Sequence, residues 1–256
     1  MMVSPLKISV ITVVFNRRDT IEDALRSVAS QVYGDVEHIV VDGGSTDGTM
    51  DVLNACRGQL DVLLSEADRG IYDALNKGIA LATGDVVGFL HADDVFADTK
   101  VLSRIADAFA DEAVGAAYGD LVYVHEEDMA RVIRHWSAGH FSKSKLSWGW
   151  MPPHPTFYVR RSLYAQLGGF DLRYRIAADY DTMLRFLGRG EVRAAYIPEV
   201  LVKMRLGGVS NRSLANILQK SREDYLALRR NGVGGLGALV WKNLSKVGQF
   251  FGEARK

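Results

Sequence analysis

Several carboxylates stand where a buried strand should end, and adjacent acids at such a place could hold a metal ion. The apolar run over residues 86–90 is followed by His91, Ala92, Asp93 and Asp94. Neighbouring carboxylates repel each other, so a cation would let both remain ionised. Their hard oxygen atoms favour Mg²⁺ or Mn²⁺, and either ion would neutralise a diphosphate. We predict a metal site at Asp93 and Asp94, with a structural turn or a helix cap as the alternative.

Three further polar residues have both a chemical and a structural interpretation. His91 would favour Mn²⁺ if it binds the metal; alternatively, it only forms hydrogen bonds. Asp42 ends the apolar stretch HIVVD, where it could accept a hydrogen bond from a nucleotide base or a ribose, or form the turn before two glycines. Asp179 begins a helical pattern, which keeps a carboxylate ionised and suits a general base. Capping of that helix is the alternative role for Asp179.

A basic cluster surrounds the start of another helical pattern. This helix begins near Gly70, with Arg69 at its amino end and with Asp73, Asn76 and Lys77 within about one turn of one another. A cation beside a helix amino terminus is a favourable environment for phosphate. We therefore predict that Arg69, Asn76 and Lys77 help to bind phosphate. Solvated surface charge is the alternative for Lys77.

The first hundred residues alternate between the periods of strands and helices. Residues 8–15 form a β-branched apolar run that is typical of a strand buried on both faces, and residues 21–29 repeat apolar side chains at helical spacing. Such alternation predicts a doubly wound, mostly parallel sheet, in which ligands bind beyond the carboxyl ends of the strands. The polar residues that close the strands should therefore converge on one crevice: Asn16, Asp42, Glu66, Asp68, Asp93 and Asp94.

The rest of the chain predicts a smaller mixed part and a helical tail. Strands are expected near 114–124 and 130–136, and helices at 161–167 and 178–188. Between them lies a proline-rich loop whose aromatic residues, Trp148, Trp150 and His154, could stack on an acceptor sugar or pack in the core.

The tail, residues 213–256, carries eight Lys and Arg against three acids. A basic amphipathic helix suits a membrane surface, and packing on the domain or on a second subunit is the alternative.

Composition excludes several classes of protein. The 256 residues hold 31 basic and 31 acidic side chains, a balance that argues against a nucleic-acid-binding surface. A single cysteine, Cys56, cannot form an intrachain disulfide and fits a reducing compartment. No signal sequence or apolar run of about 18 residues is recognisable, so a cytoplasmic location is expected. The phosphate loops GxGxxG and GxxxxGK[ST] are missing, which argues against a dinucleotide or P-loop site.

Seven segments resemble, in order and approximate spacing, the motifs of family 2 glycosyltransferases. They are ISVITVVFN, HIVVDGGSTDGT, DRGIYDALNKGIALATGD, FLHADD, GGFD, AADYDTMLR and MRLGGVS, and they cover roughly residues 6–212. The chain is most similar to small bacterial enzymes of capsule, exopolysaccharide and O-antigen assembly. The resemblance implies an α/β GT-A fold, Rossmann-like, with a mostly parallel central sheet. Residues 1–97 would form the nucleotide-sugar half, 98–212 the acceptor-side half and 213–256 the tail.

The resemblance also implies an activity. Such enzymes transfer a sugar, with inversion, from a UDP, GDP or dTDP sugar to an acceptor hydroxyl, and they use a divalent metal. A lipid-linked saccharide acceptor at the inner face of the plasma membrane is expected, with a membrane contact through residues 233–256. Two alternatives stay open: an inactive nucleotide-sugar-binding or scaffold module, and a sugar nucleotidyltransferase. The latter needs a glycine-rich loop after the first strand, and VVFNRRDT has no glycine.

The motifs assign roles to individual residues by resemblance. Asp42 corresponds to the acid that contacts the base, Asp93 and Asp94 to the metal and diphosphate motif, and Asp179 to the catalytic base. Arg205 and the following Gly207-Gly208 turn correspond to a loop that closes over the diphosphate. The residues expected to bind the nucleotide sugar are Val13, Phe15, Asn16, Asp42, Ser45, Arg69, Asn76, Lys77, His91, Ala92, Asp93 and Arg205.

The chain departs from the family pattern at three places. His91 stands where an acid or asparagine is usual, and Ala178 precedes Asp179 where the family has Glu. Val13-Val14-Phe15-Asn16 replaces Pro-x-Tyr-Asn at the end of the first strand. Phe15 preserves an aromatic ring there for stacking on the base.

Overall fold

A nine-stranded sheet forms the centre of the part of the chain that the structure, a computed structural model, describes: residues 6–206 and 214–239. The strands are β1 (Ile8–Val14), β2 (Val36–Asp42), β3 (Val62–Ser65), β4 (Val86–Phe89), β5 (Asp94–Phe96), β6 (Ala116–Val124), β7 (Val132–Trp136), β8 (Tyr158–Arg160) and β9 (Ala194–Arg205). The helices are α1 (Ile21–Ala29), α2 (Thr49–Ala55), α3 (Ile71–Leu81), α4 (Val101–Ala108), α5 (Lys143–Leu146), α6 (Arg161–Leu167), α7 (Ala178–Leu184) and α8 (Leu214–Asn231).

The first half of the sheet is parallel, as the sequence predicts. Its strand order is β3-β2-β1-β4, and every neighbouring pair runs in the same direction. All seven residues of β1 are buried, because helices cover both faces of the central strands. The register places Val14 beside Asp42 and Asp42 beside Ser65, so the carboxyl ends of these strands lie at one edge.

The second half of the sheet is mixed. Strand β8 runs antiparallel to both β4 and β6, β9 runs parallel to β6, and β5 runs antiparallel to β9. Strands β5 and β9 are not predicted from the sequence. In β9, Pro198 cannot donate to the ladder, and the register with β6 shifts on either side of Asp120. Strand β5 has only three residues, and it begins at Asp94, within the stretch whose acids predict a metal site.

The first helix of the predicted tail packs on the domain. In α8, Ala227 and Leu228 are fully buried in the main core. Residues 214–231 are thus part of the folded domain, and Val233, Ala238 and Leu239 also pack on this core. The membrane contact that was expected through residues 233–256 therefore rests on residues 240–256, which lie outside the described residues. Across the described part of the chain, no helix is long and apolar enough to cross a bilayer.

Candidate active site

The ends of β1 and β2 are joined by a network of hydrogen bonds. Asp42 is fully buried, and its carboxylate accepts bonds from the Gly44 and Ser45 N–H groups and from the Ser65 hydroxyl. Asn16, whose φ of 51° is in the left-handed region, donates its N–H to Ser45 Oγ at 2.8 Å. Its side-chain oxygen accepts the Thr46 N–H. Asn16, Asp42 and Ser45 therefore come together as predicted, and each fixes a loop at this edge.

An open aromatic surface lies beside this network. The Phe15 side chain follows β1 and is 58% exposed, although it is large and apolar. Gly43 lies next to it, and a Cβ built on Gly43 would be 3.4 Å from the Phe15 ring and 2.4 Å from Asp68 Oδ2. A side chain at residue 43 would therefore displace the Asp68 carboxylate and fill the space beside the ring. The arrangement offers a flat apolar face for a nucleotide base, with Val13 buried beneath the strand end.

The two adjacent acids occupy different environments. Asp93 has a side chain that is 32% exposed and lies 3.9 Å from Arg17 Nε. Asp94 is fully buried, and neither of its carboxylate oxygens has a hydrogen-bond partner among the described residues. Burial, and then the charge of Asp93, raises the pKa of Asp94 well above its usual range, while Arg205 opposes this. Asp93 is thus the acid that reaches the surface, and Ala92 between it and His91 is buried.

The surface in front of Asp93 is a cleft of about 200 Å³. Three arginines and four acids line it, so its formal charge is −1 and a divalent cation would reverse the sign. The lining residues are Asn16, Arg17, Arg18, Asp19, Thr20, Asp47, Asp93, Glu126, Arg205 and Leu206. A cleft of this kind can accept a diphosphate together with a divalent cation.

The residues fit a cation that is shared with a ligand. No three His, Cys, Asp or Glu side chains form a ready cage anywhere in residues 6–206 or 214–239. Mg²⁺ is commonly held by one or two carboxylates and completed by substrate phosphates, so a full cage is not required. The partly exposed Asp93 and the unpartnered Asp94 carboxylate are consistent with such a site. A direct bond from Asp94 to the metal stays a prediction, because its oxygens are enclosed.

Asp179 lies at the start of α7 on the same edge of the sheet. Its Oδ1 accepts the Tyr180 N–H and lies 3.3 Å from the Tyr72 hydroxyl, which donates to the Ile176 carbonyl. Its Oδ2 accepts no hydrogen bond from the described residues. The side chain is only half-buried. Asp179 is therefore a held carboxylate with one free oxygen, as a general base requires.

Two half-buried imidazoles accompany these acids. The ring centroids of His91 and His154 are 5.7 Å apart. Burial lowers the pKa of His91, and the charges of Asp93 and Asp179 oppose this effect. Burial also lowers the pKa of His154, to about 4, again against the charge of Asp179. Asp93 and Asp179 are thus both close enough to His91 to raise its pKa against the effect of burial.

Arg205 and Asn76 support the site through the backbone. Arg205 is buried at the end of β9, where it donates to the Asp93 carbonyl and pairs with Asp23. Asn76 forms two hydrogen bonds of 2.8 Å with the Phe170 backbone. Both ends of its amide are therefore used by the fold, and contact of Asn76 with phosphate stays a prediction. The Gly207-Gly208 turn lies outside the described residues.

The two basic residues near α3 are paired with acids. Arg69 contacts Asp73 at 2.8 Å and keeps 77% of its side chain exposed. Lys77 contacts Glu66 at 2.8 Å and donates to the Ala67 carbonyl. Surface pairing accounts for both side chains, and their contact with phosphate stays a prediction.

Sequence reasoning missed two residues that the structure brings to the site, Tyr72 and Glu223. Glu223, on α8, accepts the backbone N–H groups of residues 175–177, immediately before α7. Tyr72 lies on α3 and reaches Asp179 across more than a hundred residues. An aromatic residue or an acid on a helix gives no local signal of such a contact, because the contact depends on how distant elements pack.

The chain matches known proteins in sequence. It fits the model for glycosyl transferase family 2 over residues 9–169. It is 33% identical over 208 residues to a PGL/p-HBAD biosynthesis glycosyltransferase of Mycobacterium tuberculosis, which covers 79% of this chain and 78% of that relative. An uncharacterized glycosyltransferase of the same organism is 37% identical over 190 residues, with coverage of 72% and 70%.

Solved structures share the fold. Staphylococcus aureus TarS 1-349 in complex with UDP-GlcNAc is similar with a TM-score of 0.68 at 18% identity, over 89% of this chain and 66% of that one. A mannosyltransferase from Pyrobaculum calidifontis in complex with GDP-Man and Mn²⁺ has a TM-score of 0.67 at 24% identity, over 97% and 70%. The chain spans just under two thirds of the TarS chain. At these low identities, the similarity to both structures confirms the GT-A fold and nothing about substrates. By its family match and its mycobacterial relatives, the chain belongs to glycosyl transferase family 2.

Proposed function

We propose that this protein transfers a sugar from a nucleotide diphosphate sugar to an acceptor hydroxyl, with inversion and with a bound divalent cation. The observation that carries the proposal is that Asp93, which lines the cleft of mixed charge, and Asp179, at the start of α7, are both near enough to the His91 ring to oppose the burial that lowers its pKa. A leaving phosphate and a base on either side of one centre are the requirements of an in-line displacement. A nucleotidyltransferase is less well supported, because no glycine-rich loop follows β1.

The donor would extend along the edge of the sheet. Its base would stack on Phe15 beside Gly43, and Asp42 would accept a hydrogen bond from the base or ribose. Its diphosphate would lie in the cleft, near Arg17 and Asp93. The exposed Phe15 ring would thus contact the apolar base, and the charged residues of the cleft would contact the diphosphate.

A divalent ion, Mg²⁺ or Mn²⁺, would be held by Asp93, with Asp94 behind it. When bound, such an ion neutralises the charge that develops on a departing phosphate. Asp179 Oδ2 would accept the proton of the acceptor hydroxyl, whose oxygen forms a bond to the anomeric carbon. The bond from that carbon to the diphosphate oxygen breaks, and the nucleotide diphosphate leaves from the opposite face. Inversion follows from this single displacement.

The substrates are proposed by analogy with relatives. TarS was solved with UDP-GlcNAc and the archaeal mannosyltransferase with GDP-Man and Mn²⁺, so a UDP or GDP sugar is tested first, with dTDP sugars next. One mycobacterial relative is a PGL/p-HBAD biosynthesis glycosyltransferase. For this chain we propose an acceptor attached to a lipid, as its resemblance to enzymes of surface polysaccharide assembly implies. For this chain we also propose a role at the cytoplasmic face of the membrane, in the synthesis of surface polysaccharide, with residues 240–256 of the predicted tail as the membrane contact.

The replacement Asp179→Asn tests the base. We expect nucleotide-sugar binding to be preserved and turnover to fall by roughly 10²–10⁴-fold, because the amide cannot accept the proton. Turnover is measured as nucleotide diphosphate released from UDP-GlcNAc or GDP-mannose, with extracted membrane lipids as the source of acceptor.

The matched control is Asp181→Asn, on the same helix. The Asp181 carboxylate accepts a hydrogen bond from Asn231 and pairs with Arg185. Because these contacts belong to the fold and not to the proposed reaction, this variant should retain near-normal turnover. Thermal unfolding of both variants shows that they are folded. Near-normal turnover in Asp179→Asn would contradict the assignment of the base.

A further inference from the structure

The structure brings together two histidines that lie far apart in the sequence. Strand β8 pairs antiparallel with β4, with Val87 opposite Val159. This register places the residues that follow β4 against those that precede β8. His91 and His154 therefore meet at the carboxyl end of β4, with ring centroids 5.7 Å apart.

His154 is held firmly in this place. Its ring stacks on Phe89, with centroids 5.3 Å apart and planes inclined by 25°, and it meets Phe170 edge-on. It begins a 3₁₀ turn, His154–Thr156, in which Thr156 is fully buried and donates its hydroxyl toward the carbonyls of Gly119 and Pro153. A ring restrained by two aromatic neighbours and by its backbone can present a polar atom at a defined point.

Both rings have a polar atom that the protein leaves unsatisfied. Nδ1 of His91 and Nε2 of His154 are buried and have no hydrogen-bond partner within the described part of the chain. A buried polar atom without a partner is costly, so a ligand is expected to supply one. With its pKa lowered to about 4, His154 is neutral near pH 7 and has one donor and one acceptor. That pattern matches a hydroxyl better than a phosphate.

The position of the pair relative to the acids identifies the ligand. Asp93, two residues after His91, marks the diphosphate end of the proposed donor. The His154 ring meets Phe170, and Phe170 in turn stacks on Tyr72. The Tyr72 hydroxyl lies 3.3 Å from Oδ1 of Asp179, the proposed base. In the proposed reaction, the sugar lies between the departing phosphate and the base. The sugar is therefore the part of the donor that passes the two rings.

We propose that His91 and His154 form the subsite for the transferred sugar, and that His154 selects the donor by hydrogen bonding to one of its hydroxyl groups. This inference rests on the proposed function. It assigns a role to the proline-rich segment before β8, in which Pro153 and Pro155 flank His154.

The test separates the sugar from the nucleotide. Calorimetry with Mn²⁺ compares UDP with UDP-GlcNAc and UDP-glucose, and GDP with GDP-mannose, for wild type and His154→Leu. We expect the affinity for the nucleotide to be unchanged and the affinity for the preferred nucleotide sugar to fall by about tenfold, the loss of one hydrogen bond to a buried group. His154→Gln, which keeps a donor and an acceptor, should retain most of that affinity.

His140→Leu is the matched control, because His140 is exposed and contacts Tyr196 rather than the site. A second measurement uses the wild-type protein: the ring C–H resonance of His154, assigned with His154→Gln, should shift with the nucleotide sugar but not with the nucleotide. If His154→Leu fails to fold, this resonance measurement alone tests whether His154 contacts the sugar.

The outcomes distinguish the two proposals. If wild type binds neither nucleotide nor nucleotide sugar, the proposed function fails. If wild type binds both and folded His154→Leu keeps the full affinity for the nucleotide sugar, the subsite is wrong while the function stands. Loss of nucleotide affinity in that variant, or a resonance shift with nucleotide alone, would place His154 at the diphosphate and overturn the assignment.

Discussion

At the scale of single residues, burial separates acids that look alike in the sequence. Asp93 and Asp94 are adjacent, yet only Asp93 reaches the cleft, because β5 begins at Asp94 and turns its side chain into the protein. Asp42 is fully buried as well, but its carboxylate is satisfied by donors from two loops. An acid at a strand end can thus serve the ligand, the fold or both, and its hydrogen-bond partners indicate which.

Asp42→Asn should destabilise the protein. An amide in place of the carboxylate turns one acceptor into a donor, which then faces N–H or O–H donors from Gly44, Ser45 and Ser65. We expect the free energy of unfolding to fall by about 1–3 kcal/mol. Urea denaturation measures this value, and Ser65→Ala, which removes a single donor, should cost less. Equal stability of Asp42→Asn and wild type would show that the network is unimportant.

The sequence predicted much of this site at the level of residues, because a strand that ends in an acid is a local pattern. Asn16, Asp42 and Asp93 follow three parallel strands, and the sheet brings them to one edge. The contact between His154 and His91, and the hydrogen bonds by which Asn76 holds Phe170, are not visible in the sequence. Both depend on contacts between distant segments, which no local pattern encodes.

At the scale of elements, α8 supports α7. Glu223 on α8 is buried, and its carboxylate accepts three consecutive backbone N–H groups, from Arg175, Ile176 and Ala177. These residues lead directly into the helix that carries Asp179. The sequence predicted α8 as part of a separate tail, because its basic composition suggested a surface partner. The buried acid instead ties the helix to the segment before the base.

Glu223→Ala should loosen this segment. The three N–H groups would lose their acceptor, so we expect the free energy of unfolding to fall by about 1–3 kcal/mol. Turnover should fall by about tenfold, because Asp179 is less well held, while nucleotide affinity stays the same. Urea denaturation, calorimetry and the release assay measure these three values. Glu223→Gln, which keeps an acceptor oxygen, should be milder, and an equal effect of both variants would contradict the positioning role.

At the scale of the whole molecule, ionisable groups in the sheet and beside it couple the free energy of unfolding to pH. Burial lowers the pKa of His38 to about 4, and it does the same for His154. Burial disfavours ionised Glu37, but hydrogen bonds from Ser9, Thr83 and Lys7 outweigh it and lower the pKa of Glu37 to about 2. All three groups bind protons more weakly in the folded state than in the unfolded state.

Stability should therefore fall in two steps as the pH decreases. Between about pH 6.5 and 4, each histidine should lower the free energy of unfolding by up to about 1.4 kcal/mol per pH unit. Between about pH 4.5 and 2, Glu37 should add a similar slope, since its stabilising ionised form is lost only as the pH falls through the folded pKa. Denaturant titrations across this range measure both steps. In His38→Gln, about one fewer proton should be taken up on unfolding in the first step, so the slope there should be smaller. A flat profile above pH 4 would contradict this.

The most direct test of the central claim is calorimetric titration of the purified protein with UDP, GDP and dTDP, each with Mn²⁺ and with a chelator. We expect that one nucleotide class binds, that binding requires the metal, and that Asp93→Ala abolishes it while Asp179→Asn leaves it intact. Binding that is equally tight with a chelator or in Asp93→Ala would contradict the metal site. No binding of any nucleotide to the folded protein would contradict the proposed donor chemistry.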